Sequence, residues 1–121
     1  MDSELRMYIL INSSIKMTPG KMISQAGHVV SMVTETMVKK YPSAWDRYRR
    51  DCQTKIVLKC PQLLMETVIA RYSKEMNECV WCEHVLDAGR TQVEPNTLTA
   101  IAFCPMNKCD LPEILSDLKL L

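Results

Sequence analysis

Met7-Tyr8-Ile9-Leu10-Ile11, followed by Asn12-Ser13-Ser14, is the stretch that decides the fold. Five consecutive apolar residues leave no polar face. A strand built from them is buried on both sides, as in a sheet covered by helices above and below. The residues after it agree. Lys16-Met17-Thr18-Pro19-Gly20-Lys21 reads as a loop punctuated by Pro and Gly, with Thr18 suited to cap a helix and Pro19 to occupy its first position. A helix is predicted over Pro19–Lys40. Met22, Ala26, Val29, Val30, Val33 and Met37 form its core-facing stripe, and Lys21, Gln25, His28 and Met32 share the neighbouring face.

Further along, Tyr41-Pro42-Ser43 breaks that helix, and residues 43–51 suggest a short basic helix anchored by Trp45 and Tyr48. Strands are predicted over residues 55–60, 79–86 and 98–104, a helix over 62–76, and a last helix within 111–118, where Pro112 suits a first turn. The order β-α-α-β-α-β-β-α implies an α/β sandwich, helices on both faces of a buried sheet. No repeat, low-complexity tract or linker interrupts it, so residues 1–121 read as one domain.

Composition narrows the class of function. Apolar residues make up 47% and charged residues 24%, a globular balance that excludes a disordered chain. No apolar run reaches the ~18–20 residues that span a bilayer, and no basic leader precedes an apolar core. The expectation is a cytoplasmic protein without membrane contact. The net charge of +1 hides an asymmetry: residues 1–60 carry ten Lys/Arg against five acids, and the rest carry five against nine. A basic face toward a polyanion and an uneven scatter of solvated charges both fit that count. Six cysteines include a C-x-x-C at Cys79 and Cys82. Val80 and Trp81 between them have strand character, and residues three apart in a strand point to opposite faces. That geometry is poor for tetrahedral zinc, so no metal site is expected and reduced, mostly buried thiols are the simpler reading.

Chemistry gathers where strands give way to loops. The third strand ends in Asp87-Ala88-Gly89-Arg90-Thr91-Gln92, a cluster with nothing in it to build a core. Side chains there are held by the sheet yet open to solvent, and ligands of open α/β sheets favour the carboxyl ends of strands. If the first and third strands point the same way, Lys21 and Asp87 face each other across that crevice. Lys21 in the first turn of a helix opposes the macrodipole, which favours a purpose over simple solvation. Asp87 also suits a plain turn-forming role before Ala88-Gly89. His28 beside an apolar stripe reads as a packed histidine, and His84 as structural. No Walker loop, dinucleotide G-x-G-x-x-G or G-x-S-x-G elbow occurs.

Taken together, Lys16-Met17-x-x-Gly20-Lys21, Gln25-x-x-His28, Lys55-Ile56-Val57-Leu58-Lys59, Asp87-Ala88-Gly89-Arg90-Thr91-Gln92-x-x-Pro95 and the terminal Leu118-Lys119-Leu120-Leu121 resemble the archaeal and eukaryotic (type 2) peptidyl-tRNA hydrolases. The resemblance runs in order along nearly the whole chain. It implies a three-layer α/β/α fold around a four-stranded mixed sheet. It also implies hydrolysis of the ester between a peptide and the 3′ ribose of tRNA, with water as nucleophile and neither metal nor cofactor. By resemblance, Lys21, Asp87 and Thr91 are the catalytic residues, and Lys16, Gln25, His28, Arg90, Gln92 and Thr99 line the substrate. The partner implied is peptidyl-tRNA, held mainly through phosphates by Lys16, Lys39, Lys40, Arg47, Arg49 and Arg50. Relatives of this fold are often homodimers, although no isolated apolar stripe here demands one. The chain departs from the family at Thr18-Pro19, where Gly-Lys is usual, and at Asn96, where Gly is usual; Asn tolerates the positive φ such a turn needs. A catalytically silent adaptor on the same fold is the alternative reading, and a zinc or redox protein built on Cys79 and Cys82 is a third.

Overall fold

The computed structural model describes residues 4–89 and 93–121. The elements are β1 (Arg6–Asn12), α1 (Pro19–Lys40), α2 (Pro42–Arg50), β2 (Thr54–Cys60), α3 (Gln62–Tyr72), β3 (Cys82–Asp87) and β4 (Thr97–Phe103). They make a four-stranded mixed sheet in the order β2-β1-β4-β3. β1 pairs parallel with β2 and antiparallel with β4, which pairs antiparallel with β3. β1 and β3 therefore run the same way and end at the same edge of the sheet. The two central strands, β1 and β4, are buried from their second residue onward, as an unbroken apolar run requires.

Two hydrophobic clusters divide the sheet by face. On one, Met7, Ile9 and Ile11 of β1 pack with Val29, Val33 and Met37 of α1 and with Tyr48 of α2. On the other, Tyr8 and Leu10 pack with Met65 and Val68 of α3 and with Leu115. Successive side chains of β1 thus feed opposite layers. This is the three-layer α/β/α arrangement read from the sequence. Thr18 caps α1 through its side chain, accepting from the Lys21 backbone N–H at 3.2 Å, and Pro19 follows at the first position. Asn12, buried at the end of β1, donates through Nδ2 to Gln62 Oε1 (2.6 Å) and to the Leu98 carbonyl (2.8 Å), locking the strand end to its neighbours.

Several boundaries differ from the sequence reading, each for a local reason. α3 stops at Tyr72, short of residue 76, because Ser73 turns extended and bridges to Cys82 in parallel. β3 starts at Cys82, because Asn77 Oδ1 accepts from the backbone N–H groups of Cys79 and Val80 and holds them in a turn. The last helix takes the form of two 3₁₀ turns, Lys108–Asp110 and Glu113–Leu115. The chain then lies along the edge strand: Lys59 N–H donates to the Lys119 carbonyl (2.9 Å) and Leu121 N–H to that of Val57 (3.0 Å). That pairing covers part of a sheet edge that would otherwise expose its ladder.

β4 carries one more irregularity, at the site. Val85 pairs with Ala100 and Leu86 with Leu98, so Thr99 is an extra residue opposite the Val85–Leu86 step. The bulge breaks the alternation. Ala100 faces the α1 layer and Leu98 the α3 layer, yet Thr99 between them also turns to α1 and bonds Gln25.

Among the described residues no helix is long and apolar enough to cross a membrane. Met65, fully buried at the centre of the α3 layer, provides a test of the packing. Met65→Ala should cost about 2–5 kcal/mol, read as a lowered urea midpoint at unchanged slope.

Candidate active site

Three elements meet at the carboxyl edge of the sheet. The first turn of α1 supplies Lys21, the last residue of β3 supplies Asp87, and the bulge of β4 supplies Thr99 between them. Lys21 Nζ lies 2.8 Å from Asp87 Oδ1, and the two side chains are only 8% and 11% exposed. Gln25, one turn along α1, donates from Nε2 to the same Oδ1 at 3.4 Å. Its other amide atom, Oε1, accepts from Thr99 Oγ1 at 2.5 Å. Since the hydroxyl donates, the Gln25 oxygen is committed to it and the amide nitrogen is left to face Asp87. Asp87 Oδ2 accepts from the Gly89 backbone N–H at 2.8 Å. The turn-forming and charge-pairing readings of Asp87 are thus served by different oxygens of one carboxylate.

This setting acts on the Asp87 pKa. The hydrogen bond from Lys21 lowers it most, followed by that from Gly89 N–H; partial burial opposes, and the charges of Lys21 and His28 add to the lowering. The carboxylate is held below the ordinary range for Asp and is ionised at neutral pH. A carboxylate so stabilised is a weak base and a strong hydrogen-bond acceptor.

Two described residues beyond Asp87, Gly89 and Asn96, hold left-handed backbone conformations. Gly89 sits at φ +77°, and a Cβ there would stand 2.6 Å from Pro95 N. Asn96 adopts φ +63°, the left-handed conformation that Asn tolerates. Its backbone N–H closes the turn onto the Asp87 carbonyl at 2.6 Å.

The remaining expected residues fall differently. Lys16 is exposed and borders an open cleft of about 290 Å³ with Ile15, Val93, Glu94 and Thr97. His28 is exposed on α1 rather than packed. Thr99 is fully buried and Gln25 is 5% exposed. Arg90, Thr91 and Gln92 lie outside the described residues. Gly89 as a backbone donor was absent from the sequence reading, although Asp followed two residues later by Gly is its signature. Cys79 is exposed and Cys82 buried, and burial pushes the Cys82 thiol up to about 12, a poor source of thiolate for a metal.

Comparison with known proteins identifies the family. Residues 5–121 match the family described as Peptidyl-tRNA hydrolase PTH2. A peptidyl-tRNA hydrolase of Methanocaldococcus jannaschii is 35% identical over 117 residues, covering 97% of this chain and 100% of the relative. Those of Sulfolobus acidocaldarius and Metallosphaera sedula are 31% and 33% identical, with the same coverage. Matched from Leu5 to its last residue, the chain belongs to the PTH2 family of peptidyl-tRNA hydrolases.

Proposed function

We propose that the chain hydrolyses the ester between a peptide and the 3′ ribose of tRNA, with Lys21 and Asp87 at the reacting centre. The observation that carries the reading is their 2.8 Å ion pair, largely excluded from water at the carboxyl edge of the sheet. Ester hydrolysis needs a placed water and a stabilised oxyanion. Asp87, held ionised by Lys21 and the Gly89 N–H, accepts a hydrogen bond from the attacking water while fixing Lys21. The Lys21 ammonium has three donors; one serves Asp87, and another reaches the carbonyl oxygen as it gains charge. As the ester bond breaks, the proton lost by water ends on the ribose oxygen. The step needs no metal and no covalent enzyme intermediate. Thr91, from family resemblance, joins the water-positioning group, and Lys16, Arg90, Gln92 and His28 line the approach. Gln25 and Thr99 are assigned a positioning role, because their burial leaves Asp87 as their route to the substrate.

Because the substrate is a product of translation, the proposed compartment is the cytoplasm. The homodimer implied by resemblance is a separate proposition, decided by sedimentation; the reaction uses the Lys21 and Asp87 of one subunit.

The decisive assay is release of tRNA from peptidyl-tRNA. Lys21→Ala should lower kcat on the order of 10²–10³-fold. Asp87→Asn should leave folding and tRNA affinity intact while reducing kcat at least as far. Full activity in Asp87→Asn would sink the mechanism, and absence of release by the wild-type chain would transfer the assignment to a non-catalytic adaptor.

The depressed Asp87 pKa sets a sign for pH dependence. Stability from its ionised form is complete above the unfolded value of about 3.9 and is lost as pH falls through the lower folded value. The pH–rate profile should therefore show no protonation limb from Asp87 between about pH 5 and about pH 7. Gly89→Ala should displace the turn and loosen Asp87, lowering kcat on the order of 10²-fold, as measured by single-turnover cleavage.

A further inference from the structure

The charge asymmetry of the sequence becomes an asymmetry between layers. The segment carrying α1 and α2, residues 19–50, has six basic and two acidic side chains; α3 and the two 3₁₀ turns have two basic and three acidic. Within the basic layer the charges are not spread evenly. Lys21 sits at the start of α1, and the other five gather in the last turn of α1 and in α2.

Position along the helix relates the two groups. Lys39 follows Lys21 by 18 residues, about five turns, so it returns to the same flank of α1 about 27 Å away. That flank tracks β3 from end to start: Lys21 pairs with Asp87 at one end, and Thr36 Oγ1 donates to Glu83 Oε2 (2.7 Å) toward the other. Tyr41 stacks on Trp81 at 5.7 Å, so α2 begins beside the entrance to β3. β3 is the outermost strand on this side, and among the described residues its outer bridge, Ser73 to Cys82, lies at its first residue.

Acids are present at the far end but do not cancel it. Glu35 pairs with Lys39 at 3.1 Å. Asp46 bridges Arg49 (2.7 Å) and Arg50 (3.0 Å), one carboxylate ordering two guanidinium groups that keep unused donors. A separation of about 27 Å also exceeds three Debye lengths of ~8 Å at physiological salt. These charges therefore exert no direct pull on the reacting ester and act only by binding something remote from it.

Resting on the peptidyl-tRNA reading, we propose that the last turn of α1 and α2 form a second anchoring surface, which holds backbone phosphates of the RNA duplex while its unpaired 3′ end reaches Lys21 and Asp87. Binding of this kind follows the shape and charge of the duplex, not its sequence.

The test uses the triple variant Lys39→Gln, Lys40→Gln, Arg50→Gln and two substrates: an N-acylaminoacyl-tRNA, and the same acyl group on a short single-stranded oligoribonucleotide with the tRNA 3′ sequence. For the tRNA, KM should rise on the order of tenfold at ~0.1 M salt with kcat unchanged. The slope of log KM against log salt should fall by about one for each phosphate no longer held. Kinetics on the oligonucleotide should stay at the wild-type level. A charge-matched variant elsewhere, Arg71→Gln, Lys108→Gln, Lys119→Gln, should match wild type on both. An unchanged KM for tRNA, or an equal rise on both substrates, overturns the proposal. If wild type cleaves neither substrate, hydrolysis itself falls; the anchoring surface is then decided by affinity for uncharged tRNA, and equal binding by variant and wild type overturns it.

Discussion

The ion pair between Lys21 and Asp87 joins the first turn of the longest helix to the last residue of an edge strand, across the end of β4. Both groups are largely withdrawn from water, and each is a charged partner of the other at the site. The surrounding elements are arranged so that the pair can exist. β4 runs antiparallel between β1 and β3, which brings the ends of those two strands to the same edge. The Thr18 cap starts the helix where Lys21 faces the strand end, and the Gly89 turn aims the carboxylate.

Much of this was legible in local sequence. An unbroken apolar run at Met7–Ile11 can only be a central strand, and the structure buries all of it. Thr18-Pro19 has one job at a helix start. Lys21 against the macrodipole and Asp87 at the end of an apolar run both stood out because neither helps build a core. What escaped was non-local. The extra residue at Thr99 is defined by the register of β3, a separate strand folded back against it, and nothing in Leu98-Thr99-Ala100 announces it. The orientation of the Gln25 amide depends on a hydroxyl 74 positions away. The early end of α3 reflects a bridge from Ser73 to Cys82, a competitor that helical periodicity does not register.

The chemistry also follows from environment more than from residue type. Here the neighbours stabilise charge on Asp87, which trades proton affinity for fixed position. On the proposed mechanism, rate enhancement rests on preorganisation: an ammonium already in place, restrained by the carboxylate.

The bulge at Thr99 gives β4 two reading frames. From Ala100 to Phe103, alternate residues serve the α1 and α3 layers in one phase; before Ala100 the phase is reversed. Substitutions on either side of the bulge adjust packing without disturbing this relation. One residue added to β3 opposite Thr99 would be a change of another kind. Restoring strict alternation while Ala100 stays in register would turn Thr99 into the α3 core and Leu98 toward Lys21 and Asp87. The polarity of the site is therefore protected by the relative lengths of these two strands as much as by the identity of their residues. Side chains along β4 are free to vary within the limits of packing, while insertions and deletions are confined to those that preserve the phase.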